Sequence, residues 1–207
     1  MKKKPGTSQR GPLRARNGKR AGGRAASPRR KVFMSPWRME YILGPKDDGC
    51  FLCAASRLPA GDEAAWRKTL LLHRGPHGLV IMNRYPYTGG HLLIAPCRHT
   101  ADLPGLTPDE SRYLWDFARH AVHVISKTIG AHGCNLGMNL GRAAGAGVEE
   151  HLHMHALPRW VGDTNFMHIV ADTATVPVAL EALWDRMRPM FRELESSSSS
   201  SGSRQRQ

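Results

Sequence analysis

Acid is missing from the first 31 residues of this 207-residue chain, which carry 12 lysines and arginines and almost no large apolar side chain. Such a segment cannot bury enough surface to offset its ordering entropy, so residues 1–31 are expected to form a disordered basic tail. The remainder holds 18 basic residues against 17 acidic ones, so the net charge of +13 resides in the tail. Two readings of that tail stay open: non-specific contact with nucleic acid or an anionic surface, and a solvated extension. No run approaches the ~20 apolar residues of a membrane helix, so no membrane partner is expected. No apolar segment of the secretory type follows the basic start, so a cytoplasmic location is expected. Cysteine is scarce: Cys50, Cys53, Cys97 and Cys134. Thiols in that compartment stay reduced, which favours metal ligation or burial over disulfides.

What is present reads as one domain over residues 32–194, followed by a flexible serine-rich tail at 195–207. Val32–Tyr41 suggests a docking arm or short turn. Cys50–Cys53 follows a turn signal at Asp47–Gly49, and Ala64–His73 is ambiguous between helix and strand. Leu79–Met82 and His91–Ala95 read as two strands joined by the loop Arg84–Gly90, an antiparallel pair. Thr107, Pro108 and Glu110 form a capping-box start for a helix running to Ile129. Leu114, Phe117, Ala121, Val124 and Ile125 lie on its buried face, and Gly130 and Gly133 end it. Cys134–Leu140 reads as a strand, Gly141–Gly147 as a small-residue loop, and His151 onward as a strand stopped by Pro158. A last helix is predicted over Pro177–Leu194, with Ala179, Leu183, Met187 and Met190 on one stripe. This order predicts an α+β fold: an antiparallel sheet with helices on one face.

The chemistry concentrates in His151-Leu152-His153-Met154-His155. Alternate strand residues share a face, so all three imidazoles are expected to point one way and Leu152, Met154 and Ala156 the other. Grouped imidazoles can carry protons, attack phosphorus or bind metal. The alternative is a histidine-rich edge strand without chemistry. The nearby loop GRAAGAG would let backbone N–H groups approach an anion closely, although such a loop is also the ordinary form of a tight turn.

GHLLIAP, NLGRAAGAGVEE and HLHMHALPRW resemble the histidine-triad (HIT) family, whose signature is three histidines alternating with apolar residues. The likeness spans Cys50 to Phe166. YPYTGGHLLIAP and EEHLHMHALPRWVGDTNF are most similar to its bacterial diadenosine tetraphosphate phosphorylase-like branch. The resemblance implies a small α+β homodimer that binds purine nucleotides or dinucleotides and cleaves at the α-phosphate. It implies that His153 is the nucleophile, that His155 contacts phosphate and leaving-group oxygens, and that His91 lies near the α-phosphate. It makes Asn83 a ribose ligand, Asn139 a neighbour of the scissile phosphate, and Gly145, Ala146 and Gly147 the phosphate loop. Turn chemistry is the alternative for both asparagines.

Some bacterial members hold structural zinc with residues resembling Cys50, Cys53, His99 and His151. A lone Cys-x-x-Cys is otherwise an incomplete site or two buried thiols. Cys97 and His73 are alternative ligands, and a catalytic zinc on all three triad histidines is a further one. Trp160, Asp163, Asn165 and Phe166 shape a second-nucleoside or polyphosphate pocket or pack a loop, Tyr85 and Tyr87 stack on a base or cover the hairpin, and Glu149 and Glu150 orient histidines or, the favoured reading, are solvated. The expected activity is that of a dinucleoside polyphosphate phosphorylase or hydrolase. A nucleoside phosphoramidase or nucleotidylyltransferase, and a nucleotide- or RNA-binding sensor with little catalysis, are the alternatives.

Overall fold

The computed structural model describes residues 49–163 and 179–201, with side chains to Glu193. The basic tail, the Val32–Tyr41 stretch, Asn165, Phe166 and the last six residues lie outside these. The elements are α1 (Phe51–Ser56), α2 (Glu63–Thr69), β1 (Leu71–Arg74), β2 (Gly78–Met82), β3 (Leu92–Pro96), α3 (Pro108–Ile129), β4 (Gly133–Met138), a 3-10 turn (Arg142–Ala144), β5 (Met154–Arg159) and α4 (Leu180–Ser201). The five strands form one sheet in the order β1-β2-β3-β5-β4, and every pairing is antiparallel, so the fold is α+β as expected.

The ambiguous stretch before His73 resolves into both structures. Asp62 caps α2 by accepting the Ala65 N–H, and Leu70 then turns the chain with φ of 65° into β1. Thr107 and Glu110 make the reciprocal capping box, with Pro108 in the first turn, and α3 ends at Gly130 with φ of 61°. Gly133 does not end the helix; it opens β4. Tyr113, Leu114, Ala118, Ala121, Val124 and Ile125 form the buried face of α3, which packs across β2 to β5. Phe117, expected on that face, is half-buried and stacks on His73 of β1 at 4.4 Å.

Pro158 lies within β5 and does not stop it. β3 runs beside β5 only from Met154 to Ala156, so at Pro158 the strand has a sheet neighbour on one side, where a missing N–H is tolerated. α4 buries Leu183, Trp184, Met187 and Phe191, while Ala179 is exposed. It continues through Ser201, past the Leu194 boundary, because no glycine or further proline interrupts it before Gly202. Trp184 Nε1 donates to Leu71 O at 2.8 Å and Arg188 Nη1 to Leu72 O at 2.9 Å, so α4 covers the outer edge of the sheet at β1. At the other edge β4 is exposed along most of its length.

Candidate active site and metal centre

The triad segment is held at both ends before any chemistry is considered. Met154 pairs with Ile94 on one side and Met138 on the other, while Leu152 N–H donates to Thr100 O at 2.7 Å. Leu152, Met154 and Ala156 face the core, as alternation requires. The expectation of a single group of three rings is corrected. β5 begins only at Met154, and the ring of His151, ahead of it, is drawn into a separate cluster.

That cluster is Cys50, Cys53, His99 and His151, whose ligand atoms all lie within 4.8 Å of one another. α1 carries the two cysteines about its first turn, and the β3–α3 loop carries His99. Cys50 Sγ lies 3.2 Å and Cys53 Sγ 3.4 Å from His151 Nδ1, Cys53 Sγ lies 3.2 Å from His99 Nδ1, and the two Nδ1 atoms are 3.3 Å apart. Ligands around a tetrahedral zinc sit ~3.3 Å apart for two nitrogens and ~3.6 Å for sulfur and nitrogen, so this donor set fits a metal. His151 Nε2 donates to Pro96 O at 2.9 Å, which leaves Nδ1 with its lone pair toward the cluster. Burial holds the His151 pKa below its ordinary value, which keeps the ring in the neutral form a ligand needs. Cys97 and His73 are outside the cluster: Cys97 Sγ points to Gly75 O, and His73 stacks on Phe117.

His153 and His155 form the second group. His153 is 7% exposed, its Nδ1 lies 2.8 Å from its neighbour's carbonyl, His151 O, and burial lowers its pKa. A carbonyl only accepts, so Nδ1 carries the proton and Nε2 the free lone pair. The His155 ring lies edge-on to it at 4.9 Å. His155 Nδ1 meets His91 Nε2 at 2.9 Å, and its own Nε2 is buried with no hydrogen-bond partner among the described residues. Burial, and then the neighbouring His153, push the His155 pKa down to about 4.

His91 is 1% exposed. Asn83 Nδ2 lies 3.1 Å from its Nδ1, and the Tyr87 ring stacks on it at 5.2 Å. Asn139 Nδ2 reaches Gly145 O at 3.5 Å, which ties the glycine loop to the end of β4. Gly141 and Gly145 take positive φ of 73° and 80°, and the backbone from Gly145 to Gly147 lies at the surface. Trp160 packs against the core, Asp163 pairs with Arg159, and the Glu150 side chain is 88% exposed.

Sequence reasoning missed the backbone partners, Pro96 O, Thr100 O and Tyr87 N–H, which no side-chain pattern encodes. It also missed Arg98, beside His99 of the cysteine–histidine cluster. Its guanidinium makes two bonds to Glu110, at 2.9 and 2.8 Å, and one to Gly105 O at 3.0 Å. The signal was available, since the capping-box glutamate has a second carboxylate edge to spend.

The HIT domain family model matches residues 67–161. An AP-4-A phosphorylase from Mycobacterium tuberculosis is 35% identical over 149 residues, covering 70% of this chain and 76% of its own length. The asymmetrical bis(5'-nucleosyl)-tetraphosphatase of Schizosaccharomyces pombe is 32% identical over 108 residues, 52% of this chain and 55% of that protein. Among solved structures, a Zn-bound histidine triad family protein from Mycobacterium smegmatis matches with a TM-score of 0.55 at 24% identity, over 72% of this chain and 97% of its own. That likeness carries the fold alone.

Proposed function

Because this chain belongs to the histidine-triad family, we propose that it cleaves dinucleoside polyphosphates at the α-phosphate through a covalent nucleotidyl-histidine, with diadenosine tetraphosphate as the favoured substrate. The observation that carries this reading is the fixed tautomer of His153, whose Nδ1–H is held by His151 O. Nε2 attacks the α-phosphorus. The new N–P bond forms as the P–O bond to the nucleoside polyphosphate breaks, and the electron pair leaves on that oxygen. His151 O, facing the Nδ1–H, stabilises the positive charge the ring acquires. His155 donates from Nε2 to a phosphoryl or leaving oxygen, which would supply the buried atom's missing partner. Water or phosphate then attacks phosphorus, breaks the N–P bond and releases AMP or ADP, restoring His153. Asn139 and the Gly145, Ala146 and Gly147 backbone hold the polyphosphate.

In this reading Cys50, Cys53, His99 and His151 hold structural zinc. The metal supplies a rigid tetrahedral anchor and no step of the reaction. A homodimer is proposed through β4. α4 covers the β1 edge of the sheet, whereas β4 leaves its edge open with Leu136 exposed. A reducing cytoplasmic location suits the free thiols.

The test is product analysis by mass spectrometry after incubation with diadenosine tetraphosphate in ¹⁸O-labelled phosphate. Label in ADP, with ATP as co-product, is expected for phosphorolysis, and unlabelled AMP for hydrolysis. An intact substrate, with adenosine phosphoramidate turned over instead, would move the assignment to a phosphoramidase.

A further inference from the structure

We propose that Cys50 and Cys53 are an oxidation site: peroxide joins their sulfurs in a reversible disulfide, which releases the metal and loosens the start of the triad segment. The inference rests on the metal centre proposed above, but its thiol chemistry is read without any turnover.

Cys50 is the N-cap of α1 and Cys53 lies in its first turn, closed by Ala54 N–H donating to Cys50 O at 3.0 Å. One helical turn sets α-carbons three residues apart at about 5 Å, inside the span a disulfide tolerates. The two sulfurs already converge: Cys50 Sγ lies 3.2 Å and Cys53 Sγ 3.4 Å from the same atom, His151 Nδ1. Joining them asks for rotation of the side chains and leaves the backbone where it is. Among the described residues, the other two thiols face backbone oxygens instead. Cys97 Sγ turns to Gly75 O at 3.6 Å and Cys134 Sγ to Asn135 O at 3.7 Å. The cluster is open to solvent on one side, since His99 is exposed and both cysteines are half-buried, so a small oxidant reaches the sulfurs.

One thiolate attacks a peroxide oxygen: the S–O bond forms, the O–O bond breaks and hydroxide leaves, giving a sulfenic acid. The second thiolate attacks that sulfur: the S–S bond forms, the S–O bond breaks and a second hydroxide leaves. Two electrons pass from the sulfur pair to the peroxide, and two protons from solvent turn the hydroxides into water. A disulfide sulfur is no longer the thiolate that ligates a metal, so two of the four donors are lost together. The donors that remain are His99 Nδ1 and His151 Nδ1, 3.3 Å apart. The ring of His151 thereby loses its anchor, and the carbonyl of this same residue holds the His153 Nδ1 proton at 2.8 Å.

The experiment treats the full-length, zinc-loaded protein with hydrogen peroxide. A chromogenic chelator follows metal release, and alkylation with peptide mass spectrometry follows the thiols. Trypsin cuts after Lys46 and Arg57, so the peptide of residues 47–57 holds Cys50 and Cys53 and neither of the other cysteines. That peptide is expected to become about 2 Da lighter and to resist alkylation in step with zinc release, while Cys97 and Cys134 stay alkylatable. Dithiothreitol with added zinc should reverse both changes. The Cys97→Ser/Cys134→Ser double variant should respond as wild type does, whereas Cys53→Ser should form no reversible bridge. Long-range ¹⁵N–¹H NMR should show His153 leaving its single Nδ1–H tautomer in the bridged form. kcat on diadenosine tetraphosphate should fall about 10–100-fold with KM little changed, and return on reduction. Zinc released without the bridge, or a bridge formed with zinc retained, overturns the proposal. So does a bridged, metal-free protein that keeps full kcat and the His153 tautomer. Absence of turnover before oxidation, with the bridge, the release and the tautomer change as expected, overturns the proposed activity and leaves the oxidation site standing.

Discussion

The carbonyl oxygen of His151 accepts the Nδ1 proton of His153 at 2.8 Å, while the ring of His151 is committed to the cysteine cluster. One residue thus belongs to both halves of the site. In the proposed reading its side chain would ligate the metal, and its backbone orients the ring of the proposed nucleophile. Loosening the ring should therefore be felt at His153 without any change in substrate contacts. Cys53→Ser is expected to lower metal content, measured by inductively coupled plasma mass spectrometry. It should also reduce kcat about 10–100-fold while KM stays near wild type. A variant depleted of metal that keeps full kcat would disconnect the two halves.

The nucleophile itself should be indispensable. His153→Ala removes Nε2 but leaves His155 and the glycine loop in place, so binding should survive the loss of chemistry. Turnover is expected to fall about 10³-fold or more, as for nucleophiles in other covalent mechanisms. Calorimetric titration with a non-hydrolysable dinucleotide should still give a measurable Kd. Acid-labile AMP on the wild-type protein after rapid quench, absent from the variant, would identify the intermediate.

The elements legible in the sequence are those fixed by neighbours in the chain. The β2–β3 hairpin follows from its apolar runs and the Pro/Gly loop, and the start of α3 from Thr107, Pro108 and Glu110. Elements fixed by distant partners were harder. α1 has too few residues for helical periodicity, and β1 is separated from α2 by a leucine in the left-handed region, which no propensity anticipates. Alternation placed Leu152, Met154 and Ala156 correctly but could not see His151 leave its neighbours, because the pull comes from α1 and from the loop bearing His99. The candidate metal-binding residues follow from resemblance; their convergence is a property of the fold. The tautomers depend on backbone N–H and C=O groups and are visible only in three dimensions.

The Arg98–Glu110 pair should give the protein a marked acid sensitivity. The Arg98 guanidinium, reinforced by Thr107 N–H, holds the Glu110 carboxyl down to about 2 against an ordinary value of 4.5. A carboxylate depressed in the folded state stabilises above the ordinary value and loses that stabilisation as pH falls from 4.5 toward 2. Arg98 is half-exposed, so solvent screening limits the contribution. Glu110→Gln is expected to lower Tm at pH 7 and to narrow its difference from wild type as pH approaches 3. Equal differences at both pH values, by calorimetry, would show that the carboxylate charge contributes little.

His155 should impose a second, separable pH dependence. Its pKa is depressed to about 4 from an ordinary 6.5, by burial and then by His153. Above 6.5 the ring is neutral in both folded and unfolded chains and costs nothing. Between 6.5 and about 4 the unfolded chain takes up a proton that the folded one refuses, so stability falls as pH drops through this window. Below about 4 both states carry it and the slope disappears. His155→Gln should lessen the slope from 6.5 to 4, to which the depressed His151 and His153 also contribute, while leaving the Glu110 region below 4.5 intact. The acid limb of activity should lie at lower pH than that of an unperturbed histidine. Because His155 stays neutral and His153 is also depressed, kcat/KM should hold well below pH 6.5. An acid limb centred at 6.5 in wild-type kcat/KM would mean that at least one of the two rings is not desolvated during catalysis.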